Sequence, residues 1–233
     1  MSQLRKTTGS ASDDGEIASF LDRVKELSPA DPKAQGRLIF AMDATMSRQP
    51  TWDRALSIQS GMFTETRRVG QLQVQLVYFR GFDECKASRW VANPEALARL
   101  MTAVECRGGH TQISRVLAHV KSEAGRSGVR AAVFVGDAFE ENIDDVCKTA
   151  GELGLLGARV FMFQEGQDAN AELAFREIAK LTRGAYFRLD SSSPAVLAEL
   201  LGAVAAYAAG GQTALESRAK SGNASQMLLK QLK

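Results

Sequence analysis

Four short apolar runs punctuate the chain: Leu38–Met42, Leu76–Phe79, Ala131–Val135 and Val160–Phe163, with a fifth, shorter one at Ala185–Phe187. Each is apolar at every position and bounded by polar residues, the pattern of a strand buried on both faces. Between them, apolar residues recur at helical spacing. Leu97, Leu100, Met101 and Val104 make one stripe, and Ile113, Val116, Leu117 and Val120 the next. Ile143, Val146, Ala150 and Leu153 make a third, Ala174, Phe175, Ile178 and Ala179 a fourth, and Leu197, Leu200, Leu201 and Val204 a fifth. A further helix is predicted from Trp52 to about Arg68. An amphipathic helix is predicted over about 15–28, where Ile17, Phe20, Leu21, Val24 and Leu27 share a face.

Buried strands alternating with amphipathic helices predict βαβ units. The polar segment between Cys85 and Pro94 reads as a hairpin edge strand, Lys86–Val91. The fold class is therefore α/β: a doubly wound, mainly parallel six-stranded sheet with one short antiparallel edge strand. Pro32 and Gly36 mark a linker. The expected organisation is a mobile N-terminus with an amphipathic helix over 1–36, one α/β domain over 37–210, and a flexible or partly helical tail over 211–233. Deletion of 212–233 is expected to leave the fold intact.

Charge narrows the function. Of 29 basic and 27 acidic residues, 5 and 6 fall in residues 1–36, and 4 and 1 in 212–233. The remaining 20 and 20 leave the middle of the chain neutral. That balance argues against a nucleic-acid or membrane binder. No apolar run reaches the length of a bilayer span, and the first residues lack the apolar core of a secretory signal. Cys85, Cys106 and Cys147 cannot all pair and lack zinc-site spacing. Three free thiols and a cytoplasmic location are expected.

In open α/β sheets ligands bind beyond the carboxyl ends of the strands. Asp43-Ala44-Thr45-Met46-Ser47 follows the first strand, and Gly136-Asp137 follows the Ala131–Val135 strand. Gly108-Gly109-His110-Thr111 precedes a predicted helix, and its glycines permit close backbone approach. Asp43, Thr45, Ser47, Thr111 and Asp137 offer two carboxylates and three hydroxyls. Oxygen donors with little negative charge suit a hard cation, Mg²⁺ or Ca²⁺, and leave room for an outside ligand.

Asp43-x-Thr45-x-Ser47 resembles the D-x-S-x-S motif of von Willebrand factor A domains, which forms a metal-ion-dependent adhesion site. Thr111 resembles the threonine of that family's second loop, and Asp137 the aspartate of its third. The element order over 37–208 matches as well. The resemblance implies that Thr45, Ser47 and Thr111 give hydroxyls to Mg²⁺ or another divalent cation such as Ca²⁺ or Mn²⁺. Asp43 and Asp137 would act mostly through waters and hydrogen bonds. A protein partner's Asp or Glu would complete the shell, with no catalysis. Thr45 stands where the family usually has Ser; the hydroxyl survives, but its methyl restricts the rotamer.

Other readings stay open. Asp43 could cap a loop, and Ser47 could cap a turn before Pro50. The acidic residues Glu140, Glu141, Asp144 and Asp145 read as charges favouring a helix N-terminus. His110 reads as lining the rim, His119 as a partly exposed structural side chain, Trp52 as packing, and Arg48, Arg67 and Arg68 as solvated charges. A rival is a haloacid-dehalogenase-like phosphatase, with Asp43 as nucleophile, Thr111 and Lys121 on the phosphate, and Gly136-Asp137 with Glu141 holding Mg²⁺. Such enzymes carry a second aspartate two positions after the first, where this chain has Thr45. A metal-free α/β binding scaffold is a further alternative. No G-x-G-x-x-G follows the first strand, which argues against a dinucleotide site.

Overall fold

A computed structural model describes residues 36–59, 61–62, 71–189, 194–219 and 223–232. All belong to one unit, Pro32–Lys233. The amphipathic helix expected over 15–28 and the stretch 63–68 of the helix expected from Trp52 lie outside these residues. The sheet has six strands: β1 (Gly36–Asp43), β2 (Leu72–Arg80), β3 (Glu84–Ala87), β4 (Ala131–Gly136), β5 (Arg159–Glu165) and β6 (Ala185–Leu189). Their order is β3-β2-β1-β4-β5-β6. All neighbours are parallel except β2 with β3. This is the doubly wound sheet with an antiparallel edge that the apolar runs predict.

Both faces are covered, which explains the uninterrupted apolar strands. In β1, Leu38, Phe40 and Met42 enter one core, with α1 (Gln49–Ile58), α2 (Pro94–Thr102) and α6 (Pro194–Ala219). Ile39 and Ala41 enter the other, with α3 (Ile113–Ser127), α4 (Ile143–Leu155) and α5 (Ala169–Leu181). Trp52 packs as expected: it is buried, donates Nε1–H to the Met101 carbonyl at 3.0 Å and meets the Tyr78 ring edge-on.

Two elements, α1 and β3, are bounded differently from expectation. Helix α1 starts at Gln49 because Pro50, in its first turn, needs no partner for an N–H there. The edge strand β3 starts at Glu84, since Gly81 at φ 61° turns the chain directly after β2. It ends at Ala87 because the Ser88 hydroxyl takes the Leu76 N–H at 3.0 Å in place of a strand carbonyl. Pairing resumes only as a single bridge, Val74 with Val91.

The boundary expected at 210/211 falls inside α6, which bends at Gly211 (φ 66°) and continues to Ala219. A last helix, α7 (Asn223–Gln231), follows. Leu215 and Leu228 are completely buried in the main core. The Gln231 side-chain amide accepts the Tyr186 N–H at 2.8 Å and donates to the Tyr186 carbonyl at 3.0 Å. It thereby satisfies the open edge of β6 as a strand would. The described part of the tail is thus helical and packed. Leu228→Ala is expected to cost about 2–5 kcal/mol of unfolding free energy in urea; a change within about 0.5 kcal/mol would show that α7 is dispensable.

Candidate metal centre

The chain leaves β1 toward β2 on one side and later returns to β4 on the other. The carboxyl ends of β1 and β4 therefore bound the crevice where such sheets place ligands. Asp43, the last residue of β1, is 2% exposed. Its Oδ1 accepts the Thr45 N–H at 2.7 Å, which turns the chain over the sheet edge. Burial pushes the Asp43 carboxyl up to about 6; hydrogen bonds from the Thr45 backbone and hydroxyl pull it down, Asp137 raises it and Arg48 lowers it.

Thr45 is extended (φ −72°, ψ 161°) and opens a short 3₁₀ turn, Met46–Arg48. Its Oγ1 lies 3.4 Å from Ser47 Oγ, which lies 3.4 Å from Asp137 Oδ2. Asp43, Thr45, Ser47 and Asp137 are thus linked in one chain of polar contacts. Ser47 caps nothing here, because Arg48 holds the N-cap position of α1.

Thr111 is buried but tied elsewhere. Its Oγ1 accepts the Glu140 N–H at 3.0 Å, and its own N–H goes to Glu140 Oε2 at 3.1 Å. The loop before it presses on the β2–β3 turn: a Cβ on Gly109 would sit 2.1 Å from the Gly81 carbonyl oxygen. His110 stays at the rim, exposed, with Nδ1 3.3 Å from Glu140 and its ring against Phe82. His119 is half-buried, and its Nε2 meets Gln75 Oε1 at 2.8 Å.

Sequence reasoning misplaces two side chains and misses a third. Glu141 does not serve α4, whose N–H groups are capped by Asn142. It reaches across to α3, accepting the Ser114 N–H at 2.9 Å and further bonds from Ile113 N–H and the Ser114 hydroxyl. A signal exists, since Gln112 at the N-cap of α3 makes no cap of its own. Arg48 is not a solvated charge. Its Nη2 lies 2.9 Å from Asp137 Oδ2 and its Nη1 2.9 Å from Glu165 Oε2. Glu165, buried at the end of β5, also pairs with Arg54 at 2.9 Å and accepts the Thr51 hydroxyl. No sequence feature points to Glu165, which reads as the last residue of a strand.

No protein-family model matches the sequence, and no curated protein does. Solved structures do share the architecture. A von Willebrand factor type A protein from Catenulispora acidiphila superposes with a TM-score of 0.61 at 13% identity, covering 74% of this chain and 43% of that one. The VWA domain of SpRpn10 gives 0.56 at 9% identity, over 76% and 98% of the two chains. Manganese-loaded TRAP from Plasmodium vivax gives 0.52 at 16% identity, over 72% and 73%. The chain has the von Willebrand factor A fold. It spans less than half of the Catenulispora protein's length.

Within this von Willebrand factor A fold, the donor set suits a hard divalent cation. Neighbouring oxygens around octahedral Mg²⁺ lie about 3 Å apart, and around Ca²⁺ about 3.4 Å. The Thr45–Ser47 and Ser47–Asp137 oxygen spacings of 3.4 Å are of that size. Among the described residues no three His, Cys, Asp or Glu side chains converge as a metal cluster. Any ion here would depend on hydroxyls.

The raised Asp43 carboxyl makes a pH prediction. The folded protein holds this proton more tightly than the unfolded chain, so the contribution of Asp43 to stability falls as pH rises from about 4 to about 6 and then levels off. The substitution Asp43→Asn keeps an acceptor for the Thr45 N–H and removes the charge. With chelator present, this variant is expected to exceed wild type in stability at pH 8 by up to about 3 kcal/mol. The gain should vanish near pH 4 in urea titrations. A gain that is the same at both pH values contradicts this account.

Proposed function

We propose that this chain is a non-enzymatic protein–protein interaction module that works through a divalent cation, Mg²⁺ foremost, at Asp43, Thr45, Ser47, Thr111 and Asp137. The contact chain from Asp43 through Thr45 and Ser47 to Asp137, at the switch point of a von Willebrand factor A fold, carries this reading. When bound, the cation supplies a Lewis-acidic position for a partner's Asp or Glu carboxylate. The chain's own residues prepare that position. Asp43 fixes the backbone that presents Thr45 and Ser47, and Glu140 fixes the Thr111 loop. Manganese in the TRAP structure supports a cation in this fold.

The surroundings suit a macromolecular partner. Met46 is 63% and Phe82 72% exposed next to the polar residues, and apolar side chains at a polar rim favour docking. An open cavity of about 570 Å³ lies beside Phe82, Asp83, Arg107 and Gly108. Among the described residues no helix is long and apolar enough to cross a membrane. The described cysteines are free, which fits a reducing, cytoplasmic setting.

The phosphatase reading is less well supported. Lys121, its charge stabiliser, pairs with Glu152 at 2.6 Å, and Thr111 binds the Glu140 backbone rather than an open phosphate site. The metal-free scaffold remains a second reading because Arg48 already holds Asp137. Calorimetric titration with MgCl₂ separates the two. Wild type is expected to give a saturable heat at millimolar Mg²⁺ that Asp43→Ala loses; the absence of heat in wild type would favour the metal-free scaffold.

A further inference from the structure

We infer that Arg48 is a tethered counter-cation that sets the metal affinity of this site and leaves the loaded site positive. The inference rests on the cation-site reading above. The decisive observation is a shared atom. Asp137 Oδ2 lies 3.4 Å from the Ser47 hydroxyl and 2.9 Å from Arg48 Nη2. An ion held by the hydroxyls and the guanidinium compete for the same oxygen.

Arg48 has a place to withdraw to. Its Nη1 lies 2.9 Å from Glu165 Oε2, a contact that release of Asp137 does not require breaking. Glu165 is in turn held by Arg54 at 2.9 Å and by the Thr51 hydroxyl, so the buried carboxylate keeps its partners throughout. Arg48 Nε is buried without a hydrogen-bond partner, so the guanidinium is not locked at its third nitrogen.

Charge explains what this arrangement gains. Asp43, Asp137 and Glu165 against Arg48 and Arg54 leave one net negative charge when all are ionised. A divalent ion turns that into one positive charge, and a partner carboxylate then neutralises it. Without Arg48 the loaded site would already be neutral and would attract an acidic side chain less. Arg48 therefore weakens ion binding while strengthening capture of an anion, since charges this close interact strongly in a partly dry site.

Mn²⁺ binding measured by the electron paramagnetic resonance signal of the free ion tests this in four proteins. Arg48→Gln is expected to bind Mn²⁺ at least about tenfold more tightly than wild type. Glu165→Gln should bind more weakly, because Arg48 then rests on Asp137 alone and one negative charge is gone. Arg48→Lys, which keeps the charge, should stay near wild type. General destabilisation would shift Arg48→Gln and Glu165→Gln in the same direction and so overturn the inference. Equal affinities in all four proteins, or equal tightening in Arg48→Lys and Arg48→Gln, would overturn it while leaving the cation site standing. No Mn²⁺ bound by any of the four would overturn the cation site as well.

Discussion

Three acids end three neighbouring parallel strands: Asp43 on β1, Asp137 just past β4, and Glu165 on β5. A parallel sheet brings such residues to one edge, and unpaired carboxylates there would repel one another and resist burial. Two arginines answer this, Arg48 at the N-cap of α1 and Arg54 within the helix. Arg48 bridges Asp137 and Glu165, and Arg54 takes the other oxygen of Glu165. The 3₁₀ turn and α1 bring both arginines to this edge.

The neutralisation of this edge is incomplete. Asp43 lies too deep for a direct arginine contact, and burial holds its proton to about 6. The Ser47 hydroxyl makes long contacts, 3.4 Å each to Thr45 Oγ1 and Asp137 Oδ2, while the Thr45 hydroxyl also bonds Asp43. Thr111, by contrast, is bound on both its backbone and side chain to Glu140. The Thr111 loop is therefore held more tightly than the Ser47 hydroxyl. A hard ion with few anionic ligands keeps much of its charge for an outside carboxylate.

Strands are readable in the sequence because burial on both faces removes polar residues altogether, as in Leu38–Met42. Asp43, Thr45, Ser47 and Asp137 stand out in the sequence because they directly follow those runs, whereas Thr111 does not. What stays hidden depends on long-range pairing. Arg48 and Asp137 are far apart in sequence, and nothing in the local pattern separates a bridging arginine from a solvated one. Glu141 likewise looks like a charge for its own helix, a role that Asn142 fills instead. The C-terminal residues look polar because only a few of them, Leu215 and Leu228 above all, face the core.

The proposed partner capture at this edge requires that Thr45, Ser47 and Asp137 hold a hard cation with Arg48 displaced from Asp137. Anomalous diffraction from crystals grown with MnCl₂ tests that requirement most directly. The expected result is a manganese peak coordinated by the Thr45 and Ser47 hydroxyls, with Arg48 withdrawn from Asp137 onto Glu165. No peak at that edge, with the Arg48–Asp137 pair still closed, would contradict it.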